Sequence, residues 1–290
     1  RARGVRVVHA EDGSITEYFA RIIFVTAGAL NSNLILLNSK SKRFPDGLGN
    51  DNGLLGRYIA FHNYRGNILA DYDGFSDRYY SGRRPTTAFM PSFRNVFSQD
   101  TDFLRGYMVA FSAARRGWNR SIPENIRFGE SLKATLMQPG GWQVFMMMQG
   151  ETIPKFENHV RLSETEVDPW GIPQLVVSVD YDQNDEQMLA DFLQQGEEML
   201  SKAGCTNIRP YDDGRAPGLD IHQMGGVRMG HDRRTSLVNK WNQMHGCPNV
   251  FVTDGACMTS VGNQNPSLTF MALTARAAHH AVRLLKEDEL

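Results

Sequence analysis

A short, unbroken apolar run at residues 22–25 (Ile22-Ile23-Phe24-Val25) passes directly into Thr26-Ala27-Gly28-Ala29 and then into a helix-compatible stretch from Asn31 to Leu37. Apolar residues without alternation are what a strand covered on both faces requires. A turn of Ala and Gly lets a backbone or a ligand approach the carboxyl end of such a strand. A helix leaving that turn makes a strand–turn–helix unit of an α/β sheet. An ordinary strand-to-helix corner has the same composition, so the unit speaks to fold class before it speaks to binding. Ahead of it, residues 4–10 and 15–20 flank Glu11-Asp12-Gly13-Ser14 and are predicted to pair as a hairpin.

Beyond a loop dense in Gly, Asn and Asp (43–57), the texture changes. Strand-like stretches at 68–72, 86–89, 107–111 and 142–148 are separated by turn-rich, Arg-containing segments. They predict a mostly antiparallel sheet with long connections. Its aromatic residues Phe89, Phe93, Phe111, Trp118, Phe128 and Trp142 serve either as sheet core or as a stacking surface for a sugar. Residues 158–162 and 175–179, joined by a turn at 168–173, form a second predicted hairpin. A helix capped by Asn184 or Asp185 runs to Ala203 and ends at Gly204, and a last helix after Asn265-Pro266 runs to Lys286. Leu268, Met271, Ala272, Ala275, His279, Val282 and Leu285 share one apolar face of it. The expected fold class is α/β (α+β): part of a Rossmann-like domain joined to a domain built on a mostly antiparallel sheet.

Composition removes several functions. The 290 residues are 41% hydrophobic and 22% charged with a formal net charge of -1, which gives no electrostatic case for nucleic acid or an anionic membrane. No apolar run approaches the roughly 18 residues of a membrane helix. Cys205, Cys247 and Cys257 match no CxxC pattern and read as small buried side chains. His222, His231 and His245 match no ligand spacing, so no metal is expected.

Three local features carry chemistry. Asn265-Pro266 is a favoured pair for a helix start, and the unpaired N–H groups there stabilise an anion; a plain helix start reads the same way. Asp254-Gly255, at the end of a strand at 250–253, places a carboxylate where ligand hydroxyls bind in open α/β sheets, though turns also use Asp-Gly. His222 precedes a glycine-rich stretch and has the proton affinity to accept a hydroxyl proton near neutral pH; a structural histidine is the alternative.

Taken in order, HQMGGVRMG (222–230), NVFVTDGA (249–256) and NQNPSLT (263–269) resemble the C-terminal signature of the glucose–methanol–choline (GMC) oxidoreductases. TAGALNSNLILLNS (26–39), GLGNDNGLLGR (47–57) with His62 after it, and NHVRLSETEVDPWGIP (158–173) resemble further blocks of that family in the same order. The resemblance implies an FAD-dependent enzyme that oxidises a CH–OH group by hydride transfer. It implies His222 as catalytic base and Asn265 as its partner on the substrate oxygen. It places Ala27, Gly28, Asp254, Gly255, Ala256, Asn265, Pro266 and Thr269 at the FAD. Many members carry Gly-Thr where this chain has Gly225-Gly226.

The look is closest to bacterial sugar or glycoside dehydrogenases and pyranose oxidase, with a cytochrome-linked gluconate-type dehydrogenase subunit as an alternative. A small-molecule sugar or alcohol is the implied substrate, and an electron-acceptor protein or small subunit a possible partner. The family's GxGxxG unit, whose helix start holds the pyrophosphate, is absent from the sequence, and a strand begins only four residues in. The chain therefore reads as a C-terminal fragment expected to bind FAD weakly or not at all by itself, and a non-catalytic, binding-only polypeptide stays open. On this reading residues 1–62 and 206–290 are segments of the FAD-binding domain and 63–205 the substrate-binding domain. Periplasm and cytoplasm are both open.

Overall fold

The computed structural model describes residues 1–78, 87–117, 120–219 and 222–290. In chain order the elements begin with β1 (Gly4–Val8), β2 (Ile15–Phe19), β3 (Ile23–Val25), α1 (Ala29–Asn38), β4 (Arg57–Ala60) and β5 (His62–Asn63). Next come β6 (Gly66–Tyr72), β7 (Ala88–Met90), β8 (Tyr107–Arg115), α2 (Gly129–Met137) and β9 (Trp142–Glu151). The chain closes with β10 (His159–Val167), β11 (Pro173–Ser178), α3 (Gln183–Lys202), β12 (Thr206–Asp212), β13 (Met224–Gly226), β14 (Val250–Val252) and α4 (Ser267–Lys286). Two units result: Arg1–His62 with Glu151–Asp180 and Ala216–Leu290, and Asn63–Gly150 with Tyr181–Arg215. The fold is mixed α/β with mostly antiparallel sheets.

In the first unit β3 and β14 pair in parallel, Val25 opposite Val252, so both strands end on the same side. β4 lies between β10 and β13, antiparallel to each, and β10 pairs with β11. Val25, Leu36, Ile59, Val227, Leu237 and Val252 fill the core between these strands and α1. The contact of β13 with β4 depends on Gly225. It holds φ at 91°, and a Cβ there would overlap the Tyr58 carbonyl oxygen.

The second unit is one antiparallel sheet in the order β12-β6-β9-β8-β7. Met188, Leu189, Phe192 and Leu200 of α3 pack on Ile68, Tyr107, Val109, Met146 and Met148 of the sheet. Asp191 of α3 accepts from Arg94 at 2.7 and 3.0 Å and from the Tyr107 hydroxyl at 2.6 Å, tying helix to sheet.

Several expectations shift. Residues 151–180 join the first unit because β10 pairs with β4, and residues 206–215 join the second because β12 pairs with β6. The run at 22–25 is not covered on both faces: Phe24 is exposed at its outer side and stacks on Phe251 at 5.1 Å. α3 starts earlier than Asn184 or Asp185. Asp182 is its cap, accepting from the Asp185 backbone N–H at 3.2 Å while the Asp185 carboxylate accepts from the Asp182 N–H at 3.0 Å. Asn184 instead accepts from the Leu104 backbone N–H at 2.7 Å.

The apolar stripe of α4 is turned outward, with Leu268 78% and Met271 68% exposed, while Ala277, Ala281 and Leu284 form the buried side. Small residues let that side approach Phe251 closely. Among the sheet aromatics, Trp142 is buried and Phe93 and Phe111 pack on the core, but Phe89 and Phe128 are exposed. Thr86, Trp118 and Ile221 lie outside the described residues.

The Asp182 cap gives a direct stability test. Asp182→Ala should lower stability by about 1 kcal/mol, read as a lower urea midpoint with unchanged slope.

Candidate active site

Every residue singled out for chemistry falls in the first unit. Asp254 follows the end of β14 and is nearly buried. One carboxylate oxygen accepts from the Gly28 backbone N–H at 2.9 Å and from the Ser32 hydroxyl; the other accepts from the Ala256 N–H at 2.9 Å. Asp254 thus ties the end of β14 to the start of α1. A carboxylate has about four acceptor positions, so these three donors leave about one for a ligand hydroxyl.

Gly28 stands at the N-cap of α1 with φ at 85°, and a Cβ built there would meet nothing within 4 Å. Thr26, Ala27 and Gly28 are exposed, and no side chain caps this helix start. α4 begins in the same way. Its cap is buried Pro266, whose carbonyl accepts from the Phe270 N–H at 3.1 Å, and no side chain caps it. The expected order, Asn265 as cap and Pro266 as first helical residue, therefore moves by one position. Asn265 and Thr269 are exposed at this start.

The two helix starts are brought together around residues 253–256. The Thr274 hydroxyl on α4 donates to the Thr253 carbonyl at 3.3 Å. Gly255 is buried: a Cβ there would lie 2.7 Å from the Gln223 carbonyl oxygen, 3.3 Å from the Ala29 methyl and 3.6 Å from the Phe270 ring. Only glycine fits between the residue after His222, α1 and α4.

His222 is placed by sheet register. β13 runs antiparallel to β4 with Met224 opposite Ala60. His222 stands two residues before Met224 and His62, in β5, two residues after Ala60, and the rings meet with His222 Nδ1 at 3.0 Å from His62 Nε2. The ring centroids are 5.1 Å apart at 81°. His62 is fully buried and His222 half-buried. Ala60, Met224 and Val261, with Phe270 of α4 against them, form the apolar floor beneath the pair.

Residues 154–274 match the family model for the GMC oxidoreductase C-terminal domain. The chain is 30% identical to 2-methyl-1,2-propanediol dehydrogenase of Mycolicibacterium austroafricanum, an alignment covering 98% of this chain and 51% of the relative. It is 32% identical to paromamine 6'-oxidase of Streptomyces fradiae, covering 89% and 45%. It is 27% identical to the fructose dehydrogenase large subunit of Gluconobacter japonicus, covering 92% and 48%. The chain spans about half the length of these relatives. Among solved structures, Aspergillus oryzae formate oxidase, studied for modification of its FAD, superposes with a TM-score of 0.65 at 13% identity, covering 98% of this chain and 58% of that one.

The chain carries the C-terminal domain of the GMC oxidoreductase family. FAD is the cofactor this membership indicates. The residues present fit such a group in part. Two helix starts without side-chain caps offer N–H donors to negative charge. The open space at Gly28 leaves backbone accessible to a large ligand.

Sequence reasoning gave no role to His62, Ser32 or Asn33. His62 is visible in the sequence only as the residue that follows a GMC-like block, and its partner is 160 positions away. Ser32 and Asn33 are polar residues on the buried side of α1, a placement that only the folded structure reveals.

Cys257 lies beside Asp254. Its Sγ donates to the Asp254 carbonyl at 3.1 Å and accepts from Asn242 Nδ2 at 3.1 Å. Burial first, and then the Asp254 charge, push the thiol up to about 12. The unfolded chain releases this proton at lower pH than the folded one, so the thiol's contribution to stability is full below pH 9 and is lost between pH 9 and 12. Removing the thiol should therefore flatten the alkaline limb: between pH 8 and 10, Cys257→Ala should lose about 1 kcal/mol less than the parent protein, measured by urea unfolding at both pH values.

Proposed function

We propose that this chain works within an FAD-dependent oxidoreductase that oxidises a CH–OH group of a sugar, a glycoside or a related alcohol, with His222 as the proton acceptor. One observation carries the reading: a half-buried imidazole, held at 3.0 Å by a second, fully buried imidazole, beside two uncapped helix starts. Oxidising an alcohol to a carbonyl requires that the hydroxyl proton and a hydride leave together. The imidazole suits the first task near neutral pH. FAD, when bound, accepts the hydride.

The chain's own residues divide the remaining work. His222 takes the hydroxyl proton at a ring nitrogen. Asn265, exposed beside the start of α4, hydrogen-bonds the same oxygen and fixes the direction of the C–H bond. The α4 start, which Pro266 caps, would present the N–H groups of its first turn, Thr269 among them, to negative charge on bound FAD. Ala27 and Gly28 line the α1 start, and Asp254, Gly255 and Ala256 keep that start in place. In this reading the first unit is the FAD-binding part and the second the substrate-binding part.

The relatives support the substrate class, since one is named for a propanediol, one for paromamine and one for fructose. The last is a large subunit, which favours a second form of the reading. In that form this polypeptide passes electrons to a partner subunit, as a cytochrome-linked dehydrogenase would.

In the FAD-loaded protein, His222→Ala should slow anaerobic flavin reduction by a sugar or glycoside substrate by about 10²–10⁴-fold while flavin stays bound. Stopped-flow absorbance follows both quantities, and a wild-type reduction rate would remove His222 from the mechanism.

A further inference from the structure

We infer that His62 sets the tautomer of His222 and is thereby a positioning residue for the proton transfer. The inference rests on the function proposed above. A single proton bridges His62 Nε2 and His222 Nδ1 across 3.0 Å, and it belongs to one ring or the other. If His62 donates, the neutral His222 ring accepts at Nδ1 and carries its own proton on Nε2. Neither nitrogen of His222 is then available to a substrate hydroxyl as an acceptor. If His222 donates from Nδ1, its Nε2 keeps a lone pair. Only this second arrangement permits proton acceptance, because Nδ1 is covered by His62.

The structure holds the contact where solvent does not compete. His62 is fully buried, and the pairing of Met224 with Ala60 brings the segments that carry the two rings together. Near-perpendicular rings at 81° aim one edge nitrogen of each at the other. On this inference His62 carries its proton on Nδ1 and offers the Nε2 lone pair to His222.

The proton step balances with this arrangement. The substrate O–H bond breaks and its proton forms a new N–H bond at His222 Nε2. The electron pair of that O–H bond becomes the second bond of the carbonyl as the C–H electron pair leaves as hydride to FAD. His222 is then an imidazolium whose Nδ1–H still donates to neutral His62, now as a charge-assisted bond. Release of the carbonyl product lets His222 return its proton to solvent.

Nitrogen NMR of the protein with ¹⁵N-labelled histidine reads the tautomer without reference to turnover. The parent protein should show His222 protonated on Nδ1 in its neutral form. His62→Phe, which removes the acceptor, should move His222 toward the Nε2–H tautomer and lower kcat by about 10²–10⁴-fold with KM little changed. His62→Gln, whose amide oxygen reaches the place of Nε2, should restore the Nδ1–H tautomer and bring kcat to within about tenfold of the parent. An Nε2–H tautomer in the parent protein would overturn the inference. So would a folded His62→Phe variant with the parent's tautomer and kcat. If His62→Phe does not fold, the parent spectrum and His62→Gln decide between the two. Should His222→Ala leave flavin reduction unchanged, the functional reading itself fails. If His222→Ala abolishes reduction while His62→Phe alters neither tautomer nor kcat, only the role of His62 is lost.

Discussion

The antiparallel register of β4 and β13 is the constraint on which the site depends. With Met224 opposite Ala60, the segments that lead to His222 and His62 lie side by side, and the two rings meet at 3.0 Å. The register is held from both sides. Gly225 lets β13 close on the Tyr58 carbonyl, and β10 pairs with the other edge of β4. Met224 and Ala60 are both buried, so the apolar floor beneath the histidines also opposes slippage.

A second constraint fixes the helix starts relative to that register. A buried carboxylate without partners costs several kcal/mol, and Asp254 offsets this with donors from Gly28, Ser32 and Ala256. Those donors belong to α1 and to the turn after β14, so satisfying the charge positions both. The Thr274–Thr253 bond and the packing of Phe270 on Gly255 then place the first turns of α4 against the same turn. The chemistry is thus supported by short-range bonds among four segments that are far apart in the chain.

This explains what was legible in the sequence. The hairpin at Asp12-Gly13, the strand–turn–helix through Gly28, the hairpin around Gly171 and the helix ending at Gly204 are local, and local turn chemistry records them. Asp254 and His222 stood out because one is a carboxylate at a strand end and the other an imidazole ahead of a glycine-rich stretch. The pairing of β12 with β6 joins residues 206–212 to 66–71, and no local pattern encodes it. The His62–His222 contact is hidden for the same reason, since it exists only once β4 and β13 are in register. α4 shows a different limit. Hydrophobic periodicity found its apolar stripe, but close packing against Phe251 selects the face with Ala277 and Ala281, where little side-chain volume intervenes.

The Gly225-Gly226 pair has a physical account in α1. Asn33 is fully buried and donates from Nδ2 to the Ala29 carbonyl at 2.8 Å and the Gly225 carbonyl at 3.0 Å. A Cβ at position 226 would overlap the Asn33 amide, so threonine there and asparagine at 33 compete for one volume. The backbone φ of 89° at Gly226 disfavours any branched residue as well. An amide on α1 thus bonds directly to the β13 backbone. That bond anchors α1 to the strand that follows His222, and the Asn33 amide fills the volume beside Gly226.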